Sequence, residues 1–313
     1  METVAKSKIT PWWEEEELPP RERLPRWLRA LLVNPLSISG AVLVIVFALV
    51  ALLAPVLAPP ADPTNPYNIP RYGYSAQPQP PSAEHIFGTT QGQYDLFYGV
   101  IWGTRTAFKI GLLVTLITVI IGALLGALAA FLGGWLDEVF ERIVEIFLAF
   151  PFLLAALTLA TVLGGKFPNS IIPGMIALIV FGWPQYSRLI RGDILSVRER
   201  DFVLAARATG VPEFQILLRH ILPNAMYSTL VYASLNVGSN VLTFAALSFL
   251  GVGAQVGYAD WGQLLSFARN WIPSLSSYWW IVVYPGVALL LFSLAWNLIG
   301  DALRDAFDPR MRI

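Results

Sequence analysis

Six long apolar stretches dominate this chain, and they restrict it to folds that suit a lipid bilayer. They cover approximately residues 36–57, 107–132, 144–163, 171–186, 225–250 and 279–299. A hydrocarbon core about 30 Å thick needs roughly 20 apolar residues per helix, and a backbone in lipid must satisfy its own hydrogen bonds. The sequence therefore predicts an all-α membrane protein with six transmembrane helices.

The residues outside those stretches exclude several classes of function. Charged residues make up 13% of the chain, against about 25% in a soluble domain. The formal net charge is zero, so no overall field favours nucleic acid as a partner. There is no cysteine, and the two histidines, His85 and His220, lie far apart in the sequence. We therefore predict no disulfide, no cysteine nucleophile, no metal site and no cofactor bound by this chain.

The lysines and arginines predict which side of the membrane each segment faces. If the N-terminus is cytoplasmic, 16 of the 21 lysines and arginines fall inside and five outside. The five outside are Arg71, Arg105, Lys109, Lys166 and Arg269. Cytoplasmic segments carry the excess of positive charge, so both termini are predicted to be cytoplasmic.

This topology divides the chain into five parts. They are a cytoplasmic extension (1–35), a first transmembrane helix (36–58), an extracytoplasmic connection (59–104), a core with helices 2–6 (105–303) and a cytoplasmic tail (304–313). Eight prolines in 59–81 predict an extended connection. The amphipathic stretch 261–272 predicts a helix lying at the outer interface.

Two patterns inside the apolar stretches indicate contacts. Gly122, Gly126 and Ala130 repeat at four-residue spacing, which lets another helix approach closely, either in this chain or in a partner. Prolines at 55, 151 and 184 predict kinks, which are tolerated where neighbours or water cover the freed carbonyls.

The segment 196–223 is too charged to cross a membrane and too patterned for a disordered loop. Its alanine-rich part, 201–209, predicts a short helix that Gly210 ends with a left-handed cap. Pro212 suits the first turn of a second helix, and Pro223 is predicted to end that helix because the residue before a proline leaves the α region. Charge alone would fit an ordinary basic cytoplasmic loop, whereas the ordered landmarks favour a short helix that seats in a groove on another protein.

Those landmarks resemble a known family. The pair Ala205-Ala206, then Gly210, then Leu222-Pro223 resembles the cytoplasmic coupling motif of binding-protein-dependent ABC importer permeases. Five longer strings, in family order, resemble the second permease of dipeptide and oligopeptide importers; they are 81–89, 131–151, 182–203, 247–253 and 297–311. The likeness extends from about residue 34 to residue 311.

The resemblance implies the type I ABC importer permease fold, with a coupling-helix loop between the fourth and fifth transmembrane helices. It assigns ATPase coupling to Asp201, Phe202, Ala205, Ala206, Arg207, Gly210, Leu222 and Pro223. It also implies a second homologous permease, two ABC ATPase subunits, an extracytoplasmic substrate-binding protein and membrane lipid as partners. ATP and Mg²⁺ would be bound by the ATPase subunits, since this chain has no GxxxxGK[ST] phosphate loop.

The chain departs from the family pattern at two places. Leu204 stands where the coupling motif has a glutamate. In the outer stretch 88–105, the family's usual Asp, Gly, Arg and Arg are replaced by Thr90, Gln93, Tyr94 and Gly99. The resemblance favours peptide cargo, and it leaves oligosaccharides and metal chelates open.

Polar residues in the fifth stretch are candidates for the translocation path. Asn236, Asn240 and Thr243 fall on one helix face. They either line a central passage shared with the partner permease or hydrogen-bond between helices.

Two other classes of function remain as alternatives. An ion-coupled secondary transporter would carry ionisable residues near mid-membrane, and the centres of these stretches are almost free of them. An intramembrane aspartyl protease would need Asp95 and Asp301 close together, whereas the predicted topology puts them on opposite sides of the membrane.

Overall fold

The computed structural model describes residues 34–307, and within that range its regular elements are all helical. In chain order they are α1 (Pro35–Leu57), α2 (Leu96–Leu132), α3 (Gly134–Ala149), α4 (Phe152–Gly164), α5 (Ile172–Arg198), α6 (Asp201–Ala208), α7 (Glu213–Ile216), a π-helical turn (Leu217–Ile221), α8 (Leu222–Phe249), α9 (Trp261–Phe267), a 3-10 helix (Arg269–Ser274) and α10 (Trp280–Phe307). Most of the predicted extension 1–35, and residues 308–313 of the tail, lie outside the described residues.

Four helical stretches of the described chain are long and apolar enough to cross a membrane. They are α1, α2, the continuous stretch Glu213–Phe249 and most of α10 (Trp280–Ala306). The pair α3 and α4 makes a fifth candidate, bent by 87° between its members. The all-α membrane fold is confirmed, and the structure supports four or five of the six predicted spans.

The third predicted span, 144–163, bends at Pro151, where the sequence predicts a kink. Pro151 follows Phe150, whose backbone is extended at φ −84° and ψ 139°. A proline ring clashes with the preceding residue in the α conformation. The helix therefore ends at Ala149, and a new one begins at Phe152 in a different direction.

The fourth predicted span, 171–186, lies in α5 but is less apolar than the other candidates. Its apolar part ends near Trp183, and the polar Gln185, Ser187 and Arg188 follow. The range is helical almost throughout, yet α5 does not reach the apolar length of the four spans above.

The predicted end of a helix at Pro223 is wrong. The chain stays helical through this proline because the turn before it, Leu217–Ile221, is π-helical. Proline lacks an N–H donor, and its ring clashes with a carbonyl four residues back in an α-helix; a wider turn relieves that clash. The Asn224 side-chain amide also donates to the His220 carbonyl at 2.7 Å.

The small residues of α2 pack against α5. A Cβ on Gly122 would lie 2.5 Å from the Tyr186 Cβ, and one on Gly126 would lie 2.3 Å from the Ser187 carbonyl oxygen. Ala130, the third residue of the pattern, is also buried. The four-residue spacing thus serves a close helix contact within this chain.

Side chains of α2 donate hydrogen bonds to two carbonyls near the end of α1, one of which is freed by a proline. Pro55 has no N–H, so the Ala51 carbonyl loses its helical partner. The Arg105 guanidinium donates to that carbonyl, and Trp102 Nε1 donates to the Ala58 carbonyl at 2.9 Å. The proline of α1 is therefore tolerated because α2 replaces its missing hydrogen bond.

Residues 59–95 and 251–279, which we call the aromatic cap, fold against each other at one end of the helices. The Ala259 N–H donates to the Tyr67 carbonyl at 2.8 Å, and the Tyr67 ring stacks on Tyr258 with centroids 5.3 Å apart. The predicted connection 59–81 is non-helical, as expected, and it is fastened to the second segment of the cap.

The helical core begins earlier than the predicted boundary at residue 105. Residues 96–104 belong to α2, whose first turn is capped by Asp95 accepting from the Tyr98 N–H at 2.7 Å. Asp301 lies near the far end of α10. The two aspartates are thus at opposite ends of the bundle, which removes the paired-carboxylate alternative.

The predicted interfacial helix 261–272 is wrong for its first half, because that half is buried. Trp261 is 1% exposed, and Gly262 packs so closely that a Cβ would lie 2.1 Å from the Ala245 carbonyl oxygen. This part of the chain, α9, therefore belongs to the core of the cap end.

Two buried polar residues of the cap were not expected from the sequence. Gln93 adopts φ +63°, in the left-handed region that L-residues rarely occupy. Its amide donates to the Gln77 carbonyl at 2.6 Å and its side-chain oxygen accepts from the Thr89 hydroxyl at 3.3 Å. Buried hydrogen bonds thus stabilise the strained backbone of Gln93, at a position where the family that the sequence resembles has glycine.

The second unexpected buried polar residue of the cap is Asp260, which precedes α9. Its side chain accepts from the Gln263 N–H at 2.9 Å. Burial raises the pKa of this carboxyl from 3.8 to about 6, against the lowering effect of hydrogen bonds from Gln263, Ser248 and Gly262. The cap therefore holds a carboxylate that is costly to ionise.

Candidate functional site

The segment 196–223 forms the predicted short helix, glycine turn and second helix. Gly210 has φ +80°, a conformation that a Cβ disfavours. The Gly210 N–H donates to the Arg207 carbonyl at 2.9 Å, and the Val211 N–H donates to the Ala206 carbonyl at 3.2 Å. These two bonds define a Schellman cap, so the prediction that Gly210 ends α6 as a left-handed cap is confirmed.

The first helix of the segment, α6, has one face toward the bundle and one toward the exterior. Val203 is fully buried, and Ala206 packs against the same apolar cluster. Phe202, Leu204 and Ala205 lie on the exposed side. The two alanines of the predicted motif therefore point in different directions.

An ion pair closes the turn between α6 and α7. Arg207 Nε lies 2.7 Å from Glu213 Oε1, and Nη2 lies 3.2 Å from Oε2. The hydrogen bond from Arg207 lowers the pKa of the Glu213 carboxyl below its ordinary value. Because the predicted coupling residue Arg207 is committed to this pair, its first role is to shape the loop.

Four large apolar side chains of this segment stay exposed, and we call them the exposed apolar residues of the loop. They are Phe202 (42% exposed), Leu204 (44%), Phe214 (61%) and Leu218 (47%). Burying one such side chain contributes about 1.5–3 kcal/mol, and clusters of exposed apolar groups mark interaction sites. The loop thus offers a surface that a second protein can cover.

The predicted coupling residues form one connected loop with unequal roles. Asp201, Phe202 and Ala205 are exposed on α6, while Leu222 and Pro223 begin α8. Sequence reasoning missed the exposed Phe214 and the partner of Arg207; the charge of Glu213 six residues after Arg207 was the available signal.

The polar residues of the fifth apolar stretch lie in α8, half-buried. The Asn240 amide donates to the Thr115 hydroxyl on α2 at 2.9 Å. Asn236 and Thr243 donate to carbonyls of their own helix, at 2.8 and 2.9 Å. The structure thus gives Asn240 an interhelical bond, and the lining of a passage stays a prediction for all three.

Comparison with known proteins places these features in a family. Residues 119–313 match the family described as binding-protein-dependent transport system inner membrane component. Residues 25–81 match the N-terminal TM domain of oligopeptide transport permease C.

Similar proteins include several transport permeases. The dipeptide transport system permease protein DppC of Alkalihalophilus pseudofirmus is 37% identical over 315 residues, covering 98% of each chain. The probable D,D-dipeptide transport system permease protein DdpC of Escherichia coli K12 is 37% identical and covers 88% of each. The glutathione transport system permease protein GsiD of Pectobacterium atrosepticum is 32% identical, covering 98% of this chain and 94% of that protein.

A solved structure supports the fold. A chain of the MetNI methionine ABC transporter, in an inward-facing conformation, superposes with a TM-score of 0.54 at 19% identity, covering 67% of this chain and 97% of that one. The family match over residues 119–313 and the near-full-length relatives show that the chain belongs to the family of binding-protein-dependent transport system inner membrane components.

Proposed function

We propose that this chain is a permease subunit of an ATP-driven importer for di- and oligopeptides. The observation that carries the proposal is the 37% identity to a dipeptide transport permease over 98% of both chains. The relatives named above transport dipeptides, D,D-dipeptides or glutathione according to their names. All three are short peptides or peptide-like solutes, which favours a peptide over an oligosaccharide or a metal chelate as cargo.

In this proposal the chain crosses the membrane six times, with both termini in the cytoplasm. The spans are α1, α2, the bent pair with α4 as its crossing arm, α5, α8 and α10. This order puts the loop 196–223 on the cytoplasmic side and the aromatic cap outside, where a substrate-binding protein delivers cargo. The positive-inside distribution of lysine and arginine supports this orientation.

The loop 196–223 would couple the permease to an ATPase subunit. Its exposed apolar residues (Phe202, Leu204, Phe214 and Leu218) suit burial against that subunit. A second permease and two ATPase subunits complete the transporter, and ATP with Mg²⁺ binds to the ATPase subunits. Closure of the ATPase pair would then switch the permease pair between outward and inward states.

Purification of the full-length chain in mild detergent, followed by mass spectrometry and an ATPase assay, tests the assembly. We expect a second permease and two ATPase subunits to copurify with ATPase activity, and uptake of radiolabelled dipeptide to be blocked by excess unlabelled dipeptide. Recovery of a lone chain without ATPase activity would favour ion-coupled transport instead. Competition by an oligosaccharide or a metal chelate, rather than by peptide, would overturn only the cargo.

Substitutions on α6 test the coupling loop. Ala205 is exposed, so Ala205→Trp should leave the chain folded and weaken both ATPase recovery and dipeptide uptake. Ala205→Ser keeps the small size and should behave as wild type. Ala206→Trp is a poorer test because Ala206 packs inward and its replacement disturbs the loop itself. Normal assembly and uptake by a folded Ala205→Trp variant would contradict the coupling role.

A further inference from the structure

The helix α3 shows three distinct faces around its axis. One faces the protein, where Val144 is fully buried. On that side Arg191 of α5 makes two bonds of 2.6 Å to the Asp137 carboxylate, and Arg188 lies 3.8 Å from Glu141. These contacts fix the rotation of α3 about its own axis.

The second face of α3 is an exposed apolar stripe. Its members are Trp135 (70% exposed), Leu136 (41%), Val139 (48%), Ile143 (44%) and Ile146 (59%). At 3.6 residues per turn these side chains fall within an arc of about 100°, the width of an amphipathic helix's apolar side. No described part of this chain covers them.

The third face lies directly beside the stripe and is charged. Glu138, Arg142 and Glu145 are exposed there, and Arg142 pairs with Glu145 at 2.7 Å. If α3 crossed the hydrocarbon core upright, these charges would face lipid at high cost. If α3 stood in water, the whole stripe would be solvated. A helix lying in the plane of the interface can bury its apolar stripe in the acyl chains and keep its charged face in water.

The neighbouring helices identify what covers the stripe. The residues before it, Leu128 and Leu132 at the end of α2, are each 53% exposed, and in α4 Leu154 (59%) and Val162 (66%) are exposed after it. Leu128 and Leu132 belong to the candidate span α2, and Leu154 and Val162 lie in the second arm of the bent pair, so lipid is the expected neighbour of all four. The stripe continues this lipid-facing surface around the 87° bend at Pro151.

We propose that α3 lies in the plane of the membrane interface, with its stripe in the acyl chains of the cytoplasmic leaflet. The choice of leaflet rests on the topology given under Proposed function; the in-plane position does not. The exposed charges include more carboxylates than cations, so neutral lipid suffices and no anionic headgroup is required. Through Arg188 and Arg191, α3 holds the end of α5, which leads directly into α6. The depth of the coupling loop is thereby set by a helix lying on the membrane.

Spin labels can test this position, because the chain contains no cysteine. Val139→Cys and Ile146→Cys report on the stripe, and the matched control Glu138→Cys reports on the charged face. Each full-length variant is purified with its associated subunits, labelled with a nitroxide and reconstituted into phosphatidylcholine vesicles. Accessibility to lipid-soluble oxygen is compared with accessibility to a water-soluble nickel chelate.

We expect oxygen to dominate at residues 139 and 146 and the nickel chelate to dominate at residue 138. Oxygen dominance at all three positions would mean that α3 spans the membrane and would overturn the proposal. Low access of both reagents to the stripe would show that protein, such as a second permease, covers it, and access of the nickel chelate would show that water does; either result would overturn the proposal. Because the readout needs no transport or ATP, failure of the proposed function would leave this result unaffected.

Discussion

The loop 196–223, for which we propose a coupling role, and the aromatic cap (59–95 and 251–279) lie at opposite ends of the helices and differ in which side chains they bury. The loop leaves large apolar groups such as Phe214 exposed and places its one strong ion pair at the surface. The cap buries Trp261 almost completely, together with the polar Gln93 and Asp260.

This difference indicates where each region obtains its stability. The cap completes its packing and hydrogen bonds within the chain, so substitutions there should mainly change the free energy of unfolding. The loop leaves apolar surface uncovered, so substitutions there should mainly change binding to a partner. The predictions below test that division, beginning with the largest expected effect.

Two glycines provide the sharpest contrast between the regions. In Gly262→Ala the new Cβ would lie 2.1 Å from the Ala245 carbonyl oxygen, so α9 must move away from α8. We expect destabilisation of about 3 kcal/mol, as for severe overpacking. In Gly210→Ala the Cβ meets nothing within 4 Å, and the cost comes only from φ +80°, about 1 kcal/mol. Thermal unfolding in detergent measures both, and equal losses would contradict a tightly packed cap.

Asp260→Asn should stabilise the cap at neutral pH. The pKa of this carboxyl is raised from 3.8 in the unfolded chain to about 6, so the folded state binds the proton more tightly. Wild-type stability should therefore fall as pH rises from about 4 to about 6 and stay low above that. Asparagine can still accept the Gln263 N–H, and we expect a gain of about 2 kcal/mol at pH 7.

The difference between variant and wild type, measured by unfolding at several pH values, isolates this effect from other titrating groups. It should be largest at pH 7 and shrink toward pH 4. A difference that is constant with pH would show that Asp260 is not the group responsible.

Gln93 separates backbone strain from hydrogen bonding in the cap. Gln93→Ala keeps a Cβ at φ +63° and loses the buried bonds to Gln77 and Thr89, whereas Gln93→Gly loses the same bonds but relieves the strain. We expect the alanine variant to be less stable than the glycine variant by about 1 kcal/mol. Equal stability of the two variants would mean that the left-handed backbone carries no strain here.

Local chemistry explains why some of these features could be predicted from the sequence. Gly210 after an alanine-rich run, with Pro212 behind it, specifies a helix end through backbone sterics alone. Long apolar runs likewise specify membrane helices. In contrast, Gly122 and Gly126 predict a close helix contact but do not identify the partner helix, because the partner depends on tertiary packing.

Other features depend on the conformation of the surrounding chain, which the residue types alone do not specify. Pro223 looks like a helix end until the π turn before it is known. A kink at Pro151 was predicted, and the structure adds its angle of 87°. The role of Arg105 depends on the carbonyl that Pro55 frees more than 50 positions away.

The Arg207–Glu213 pair gives the smallest expected effect on stability. The two side chains are 31% and 56% exposed, so solvent screens the pair and it should contribute only a few tenths of a kcal/mol. Because the pKa of Glu213 is lowered in the folded chain, the contribution is present above the unfolded pKa and is lost as pH falls through the folded pKa. Arg207→Gln, Glu213→Gln and the double variant should therefore unfold within that small range of wild type at pH 7.

The same pair should matter far more for partner binding than for stability if the loop is completed by a partner. We expect both single variants to lose ATPase coupling in the purified complex, because each opens the turn that positions α6. The swapped variant, Arg207→Glu with Glu213→Arg, rebuilds an ion pair across the turn and should recover part of the coupling. No recovery, with a normal unfolding curve, would mean that Arg207 itself contacts the ATPase. Large losses of stability in the single variants would instead contradict the difference drawn between the loop and the cap. The loop would then be stabilised by its own contacts, as the cap is.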